Sequence, residues 1–109
     1  MAYFCRRDAN HADVVKAFRN LGVPFIDVSH LGGLGCDLIA RHLTWGTAVL
    51  IELKDGRLPP SRRKLTESEK VMEAAFPESF VIALSVKDAL AAVGIAPPPL
   101  ANDRLRKME

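Results

Sequence analysis

The sequence GLGCDLIARHLTWGTAVLIELKDG, residues 33–56, determines the centre of the fold. It contains two apolar runs, 37–42 and 47–54, and the short segment between them includes Trp45 and Gly46. Two brief apolar runs joined by a turn are typical of an antiparallel β-hairpin. The stretch therefore predicts a hairpin at the centre of a sheet or beside it.

Upstream and downstream of the hairpin, periodicity and turn residues predict further elements. Apolar positions recur at spacings of three and four from Asn10 to Gly22, which predicts a helix capped by Asp8 or Asn10. The short β-rich run from Phe25 to Val28 predicts a strand. Thr66 and Glu69 have the spacing of a helix capping box. The predicted buried stripe of that second helix consists of Val71, Met72, Ala75 and Phe76.

The last part of the chain predicts one more strand and one more helix. Phe80 to Leu84 is a β-like run, and Ser85 caps a helix from Val86 to Val93. The order αβββαβα predicts an α/β fold with one central mixed sheet flanked by helices, and a right-handed parallel crossover before the last strand. We assign residues 1–95 to this domain, and we expect the proline-containing tail 96–109 to be frayed or to bind a partner.

Composition and charge limit the class of protein. The chain has 109 residues, of which 49% are hydrophobic and 26% charged, as in one globular domain and unlike a disordered or fibrous chain. The formal net charge of +2 is too small to predict nucleic-acid binding by itself. Cys5 and Cys36 make no secreted-type disulfide framework, and no apolar run is long enough for a membrane span. We therefore expect a cytoplasmic protein without a membrane anchor.

Glu52 is the residue that a generic buried strand does not explain. Alternation along the second run places Glu52 and Lys54 on the face of Leu50, opposite the face of the neighbouring apolar residues. A strand between helices is expected to be apolar on both faces, and an ionised Glu there is costly unless it is paired, hydrogen-bonded or bound to a metal. The hairpin could bring Asp37 opposite Glu52, and two adjacent carboxylates repel unless a cation lies between them.

This pair of carboxylates has the donor chemistry of a hard divalent cation. Oxygen ligands suit Mg²⁺ or Mn²⁺ rather than zinc, and the main-chain carbonyl of Leu53 and waters would complete the ligand set of Asp37 and Glu52. Lys54 would orient or deprotonate a water at the ion, or neutralise charge that develops at a phosphate. The residues therefore predict a metal centre with a lysine beside it.

Residues 33–56, with the basic proline-containing loop and the sequence LTESEK that follow, resemble the PD-(D/E)xK nuclease superfamily. The resemblance is greatest to the small stand-alone VRR-NUC type of phages and prophages, and it extends from about Arg7 to Gly94. It implies a restriction-endonuclease-like fold and Mg²⁺- or Mn²⁺-dependent hydrolysis of DNA phosphodiester bonds. Relatives include Holliday-junction resolvases that act as dimers. The positions that match the catalytic residues of the family are Asp37, Glu52 and Lys54.

The resemblance also implies a fourth acidic residue. In the family, the first helix supplies a side chain that reaches the metal or its waters, and the matching residue here is Asp13. The alternative for Asp13 is a solvated acid that interacts favourably with the helix dipole. Two positions depart from the family: Cys36 stands where a proline usually precedes the first carboxylate, and Lys70 stands where the second helix often carries Gln. Whether Lys70 faces the metal or a phosphate stays open.

Several residues near the predicted site are candidates for contact with DNA. Segment 55–64 combines two prolines, which disfavour a helix, with four cations, and predicts an exposed basic loop that suits DNA phosphates or is merely solvated. The glycine-rich turn lacks the ending of a P-loop and is interpreted as a turn that admits DNA. Trp45 would stack on a base or anchor the hairpin turn. The predicted DNA-contact residues are Arg57, Arg62, Arg63, Lys64, Lys70, Ser29 and Gly35.

The predicted function is a divalent-metal-dependent DNA endonuclease that carries one site per chain. Symmetric cutting of two strands needs two sites, so a homodimer and a branched substrate such as a four-way junction are favoured. Two alternatives stay open. One is a non-catalytic DNA-binding module with the same fold, and the other is a subunit of a larger DNA-processing complex that docks through its tail.

Overall fold

A computed structural model describes residues 10–95, which form three helices and a four-stranded sheet. The order αβββαβα confirms the predicted α/β fold. Each helix and strand lies close to its predicted position, whereas segment 96–109 lies outside the described residues. In chain order the elements are α1 (Asn10–Leu21), β1 (Phe25–Asp27), β2 (Leu38–Arg41), β3 (Ala48–Leu53), α2 (Glu67–Ala75), β4 (Phe80–Ala83) and α3 (Val86–Ala92).

The sheet has the strand order β1-β2-β3-β4, so the predicted hairpin of β2 and β3 occupies its centre. β1, β2 and β3 pair antiparallel, and β3 and β4 pair parallel across the connection that contains α2. In the hairpin register Leu38 lies opposite Ile51. Asp37, one residue before β2, donates its backbone N–H to the Ile51 carbonyl at 2.8 Å, which places it beside Glu52.

One face of the sheet is closed by α1 and α3. The alternation along β3 is as predicted, because Val49, Ile51 and Leu53 all point into this core. Val14 and Phe18 of α1 pack there and are completely buried. α3 adds Ala89 to the same cluster. This layer is the main hydrophobic core of the domain.

The opposite face of the sheet carries α2 and a smaller cluster that includes Leu50 and Phe80. The predicted buried stripe of α2 is wrong, because Val71 and Phe76 are 67% and 51% exposed. Met72 packs on the cluster, and Glu69 is the buried residue of this helix. Residues three apart share a helix face, so α2 is rotated to direct Glu69 toward the end of β3 instead of burying its most apolar side.

The helix starts are fixed by specific side chains. Thr66 and Glu69 form the predicted capping box: the Thr66 Oγ1 accepts from the Glu69 amide at 3.3 Å, and the Glu69 Oε1 accepts from the Thr66 amide at 2.8 Å. Asn10 does not cap α1, because its side chain donates to the carbonyls of Lys54 and Leu84 at 2.9 and 2.8 Å. Asp8, the other predicted cap, lies outside the described residues. Asn10 instead ties the start of α1 to the ends of β3 and β4.

The segment between Lys54 and Thr66 contains a short 3₁₀ helix, Pro60–Arg62. The sequence predicted a loop without helix here, and the difference arises because proline is tolerated at the first position of a helical turn, where its missing N–H costs nothing. None of the helices within residues 10–95 has the length and apolar character needed to cross a membrane.

Candidate functional site

The structure brings Asp37 and Glu52 together at one end of the hairpin. Glu52 is 6% exposed and lies on the α2 side of β3. Asp37 Oδ2 accepts a hydrogen bond of 2.9 Å from the Leu53 amide, which fixes this carboxylate against the end of the same strand. Both side chains line one cavity. The predicted role of the Leu53 carbonyl as a ligand stays a prediction.

Lys54 joins this pair as the sequence suggested. Its Nζ lies 3.5 Å from Glu52 Oε2 and 3.0 Å from Glu69 Oε1. Burial disfavours the charged lysine, but the hydrogen bond to Glu69 and the negative charge of Glu52 outweigh burial and raise the pKa of Lys54. The ammonium group is therefore a fixed positive charge at the edge of the carboxylate pair.

Glu69 is the site residue that sequence reasoning missed. Its capping-box spacing was visible, but that spacing explains only the contact with the backbone of Thr66. The structure shows a second contact, the ion pair with Lys54. Burial opposes its ionisation, yet hydrogen bonds with Glu52, Thr66 and Lys54 lower the pKa of Glu69. Glu69 is therefore an ionised group that connects the start of α2 to the end of β3.

The cluster formed by Asp37, Glu52, Lys54 and Glu69 has more negative than positive charge. Burial, the hydrogen-bonding contact with Glu69 and the charge of Asp37 raise the pKa of Glu52 to about 9. Burial likewise raises the pKa of Asp37, against the hydrogen bond from Leu53. Three carboxyl groups thus surround one ammonium, and this imbalance keeps a proton on Glu52 when nothing else neutralises it.

The donor chemistry of this cluster fits a hard divalent cation. Carboxylate oxygens are the ligands of Mg²⁺ and Mn²⁺, and a cation would offset the burial and the repulsion that raise the pKa values of Asp37 and Glu52. Within residues 10–95, no three His, Cys, Asp or Glu side chains already surround a metal position. The protein therefore offers a carboxylate pair, with main-chain oxygen and water left to complete the shell.

A cavity of about 290 Å³ opens beside the cluster. The glycine-rich turn forms part of its wall, and Ser29 lies there with its hydroxyl donating to Asp27 Oδ1 at 2.6 Å. Gly35 also lines it, at a φ of +103°, and a Cβ at this position would lie 2.5 Å from the Ser68 carbonyl of α2. The close approach that requires a glycine at position 35 is therefore to α2, and the predicted contact of Gly35 with DNA stays a prediction.

α1 contributes different residues from the one predicted. Asp13 is exposed and does not line the cavity. The buried polar residue of α1 is His11, whose Nε2 lies 3.2 Å from Asp27 Oδ2 without hydrogen-bond geometry. The electrostatic interaction of Asp37 with this imidazole offsets only part of the burial that raises the pKa of Asp37. The side of α1 that faces the sheet end therefore carries His11 and Asn10, and the structure does not bring Asp13 to the carboxylates.

The predicted DNA-contact cations have different surroundings. Arg57 makes a two-pronged contact with Asp55, at 3.0 and 2.9 Å, and Lys70 lies 3.4 Å from Glu67 on the exposed side of α2. The remaining three cations of the loop make no ion pair with another residue in the range 10–95; they are Arg62, Arg63 and Lys64. The loop leaves the site at Lys54 and returns to the cavity wall at Thr66, so these cations lie on a segment whose two ends are at the site.

Cys36 is a packed side chain at this site. It belongs to the smaller apolar cluster and is buried. Burial and the charges of Glu52 and Asp37 raise the pKa of its thiol to about 11. The thiol is therefore protonated at neutral pH, which is unsuitable for a nucleophile.

The chain matches no protein-family model, no curated protein and no solved structure.

Proposed function

We propose that this protein is a divalent-metal-dependent nuclease that hydrolyses phosphodiester bonds of DNA. The observation that carries the proposal is the buried pair of carboxyl groups of Asp37 and Glu52, in one cluster with the charged side chains of Lys54 and Glu69. Keeping such charges in a fold is costly unless they have a task, and strongly shifted pKa values beside a cavity are typical of catalytic sites. The resemblance to PD-(D/E)xK nucleases assigns the same residues.

Asp37 and Glu52, with the Leu53 carbonyl, would hold Mg²⁺ or Mn²⁺. When bound, the ion supplies activation of a water and stabilisation of negative charge at the scissile phosphate. Glu52 must give up the proton that its buried environment favours before it can be a ligand. The Leu53 amide keeps the Asp37 carboxylate in place, so that this ligand is oriented in advance.

Lys54 has the task of placing one positive charge at the phosphate. A preorganised cation stabilises the charge that develops on the transferring phosphoryl group, without rearrangement during the reaction. Glu69 acts through Lys54: the contact of 3.0 Å limits the freedom of a long flexible side chain. We therefore treat Glu69 as a positioning residue.

The flanking loop would position the DNA backbone. Arg62, Arg63 and Lys64 lie on a segment that begins and ends at the site, and contacts from such cations to phosphates supply affinity without sequence preference. Arg57 is a weaker candidate because its guanidinium group already pairs with Asp55. Because residues 10–95 form one such cluster, the proposed active form on branched DNA is a homodimer.

The test is cleavage of labelled four-way junction, linear duplex and single-stranded DNA by the purified chain in Mg²⁺, Mn²⁺ or EDTA. The expected result is cleavage that depends on metal and is abolished in Glu52→Ala and Lys54→Ala proteins that retain native circular dichroism. Glu73→Ala and Lys87→Ala, which remove exposed charges of the same type, are the matched controls and retain activity. Absence of cleavage on every substrate, or cleavage that persists in both site variants, would refute the proposal.

A further inference from the structure

Trp45 forms a second surface, at the end of the hairpin opposite the carboxylates. It lies in the turn between β2 and β3 and is 74% exposed. Ala48 and Glu52 are four residues apart on β3, which corresponds to about 13 Å along a strand. The Trp45 surface is thus separate from the site described above. At this exposure, any anchoring of the turn by Trp45 comes from contact with a neighbouring ring rather than from burial in the core.

His42 holds the indole of Trp45 in a fixed orientation. The two rings stack at a centroid distance of 4.2 Å and an angle of 8°. His42 is itself buried, and its Nδ1 accepts hydrogen bonds from the amides of Thr44 and Trp45 at 3.2 and 3.1 Å. Gly94 packs against the imidazole so closely that a Cβ there would lie 2.8 Å from its Cε1. One face of the indole is therefore supported, and its exposure is a stable feature of the turn.

Arg41 places a positive charge at the same hairpin tip. Its guanidinium group lies over Gly46, where a Cβ would be 3.3 Å from Nη2. Arg41 is exposed and makes no ion pair with the other residues between 10 and 95. An oriented aromatic ring with a neighbouring unpaired guanidinium is the combination that binds single-stranded nucleic acid: bases stack on the ring and the cation contacts the backbone.

The space beside the ring suits a base better than a phosphate. A cavity of about 240 Å³ lies next to Trp45, and its lining includes Val81 and Ala92 together with the polar residues Thr47, Glu78 and Ser79. A carboxylate repels a phosphate but accepts hydrogen bonds from the N–H groups on base edges, such as N3–H of thymine. The lining therefore offers apolar contact and base-edge acceptors, while the only cation at this tip that the described residues provide is Arg41 on the outside.

We propose that Trp45 is a stacking platform for an unpaired nucleobase of single-stranded DNA, with Arg41 in contact with the adjoining backbone. This inference rests on the proposed function in one respect, since it takes DNA as the substrate. It adds a substrate class: DNA that presents an unpaired base at a distance from the phosphate bound at the carboxylates. A peptide bound at the same tip is the competing outcome.

The test uses the fluorescence of Trp45, which is the only tryptophan of the chain. The full chain in EDTA is titrated with oligo(dT), with an abasic oligodeoxynucleotide of equal length and with fully paired duplex. We expect oligo(dT) to quench the emission to saturation, and the abasic strand to leave it almost unchanged. Binding is followed by the fluorescence anisotropy of a labelled strand. Trp45→Ala should weaken the binding of oligo(dT) about tenfold, and Arg41→Ala should weaken the binding of both oligo(dT) and the abasic strand.

Val71→Ala is the matched control, because it removes an exposed apolar side chain of α2 that does not line the cavity beside Trp45, and it leaves binding unchanged. Equal quenching by the abasic strand, or unchanged affinity in a folded Trp45→Ala protein, would overturn the inference. Because EDTA prevents cleavage, the two proposals fail separately. A chain that cuts DNA without a Trp45 signal loses only the stacking platform, and one that shows the signal but never cuts loses only the nuclease.

Discussion

The two faces of β3 differ in what they bury. On the side of α1 and α3, Ile51 and Leu53 are completely buried among apolar residues. On the side of α2, Leu50 is followed by Glu52 and Lys54, and α2 covers them with Glu69 while it leaves Val71 exposed. The first face resembles an ordinary core, and the second face keeps a group of charges near a cavity.

This difference shows how a small domain can remain folded with a buried charged cluster. Apolar burial stabilises by about 25 cal/mol per Å², and the complete core on one face offsets the cost of carboxylates on the other. The charged face is correspondingly where stability is expected to depend on pH and on cations. The structure thus separates the residues that hold the fold from those that we propose to react.

Ile51→Ala is expected to have the largest effect on stability. It removes a completely buried side chain from the closed face, and such truncations lower the free energy of unfolding by about 2–5 kcal/mol. Phe76→Ala, on the exposed side of α2, is expected to cost less than about 1 kcal/mol. Urea denaturation at pH 7 measures both. Equal decreases in the free energy of unfolding would contradict the difference between the core under α1 and α3 and the exposed side of α2.

Glu52→Gln should stabilise the metal-free protein. The amide keeps the shape of the side chain and removes a charge that burial and neighbouring carboxylates disfavour. At pH 8 in EDTA, we expect the free energy of unfolding to rise by roughly 1–3 kcal/mol while cleavage is lost. Glu73→Gln, which changes an exposed glutamate of α2, should change the free energy of unfolding by less than about 0.5 kcal/mol. Destabilisation by Glu52→Gln would mean that Glu52 is satisfied as a charged group.

The same pKa shift predicts a pH dependence. The pKa of Glu52 is about 9 in the folded chain, against 4.5 as its ordinary value, so between these limits the folded state holds a proton that the unfolded state has lost. Stability therefore decreases as pH rises, by roughly 2–3 kcal/mol between about pH 6 and 8. The raised pKa of Lys54 affects stability at pH values above this range, and the lowered pKa of Glu69 affects stability at pH values below it. Thermal melts in EDTA would contradict the prediction if stability increased with pH, or if Glu52→Gln had the same slope.

Two substitutions of Glu69 separate its roles. Gln can preserve the capping box with Thr66 but cannot neutralise Lys54, whereas Ala loses both contacts. We expect Glu69→Ala to be less stable than Glu69→Gln by about 1 kcal/mol, and both to cut DNA more slowly than the wild type. Denaturation curves and cleavage rates together test this. A Glu69→Gln protein with full activity would remove Glu69 from the site.

Asp13→Ala should have the smallest effect. Asp13 is exposed in the first turn of α1, and an exposed acid at that place contributes less than about 1 kcal/mol through the helix dipole. Its removal should therefore leave cleavage almost unchanged, in contrast to Asp37→Ala. A loss of cleavage as large as that of Asp37→Ala would show that the family's acidic helix residue does act here.

Local patterns were sufficient to predict most of the fold and half of the site. The alternation in 47–54 identified both faces of β3, and the hairpin register followed from it, so Asp37 and Glu52 were correctly placed side by side. The rotation of α2 could not be predicted, because Val71 and Phe76 have the spacing of a buried apolar helix face in the sequence. Only the three-dimensional position of Lys54 explains why Glu69 faces inward.

The contacts that sequence could not supply all depend on the packing of the chain in three dimensions. The capping box of Glu69 already explained that residue locally, so nothing in the sequence called for a second partner. The stacking of His42 on Trp45 depends on the backbone of the hairpin turn and on Gly94 behind the imidazole. The need for Gly35 comes from the Ser68 carbonyl of α2, far away in sequence. Each of these contacts depends on how the helices and strands pack, whereas the sequence predicts only where those elements begin and end.

The central claim is that Asp37 and Glu52, on the α2 side of β3, form a divalent-cation site. Calorimetric titration of the purified chain with Mn²⁺ at pH 8, in parallel with Glu52→Gln and Glu73→Gln, tests it directly. We expect saturable binding by the wild type and Glu73→Gln, and at least about tenfold weaker binding by Glu52→Gln, equal to about 1.4 kcal/mol. No saturable binding by the folded wild type, or equal affinity in Glu52→Gln, would contradict the claim.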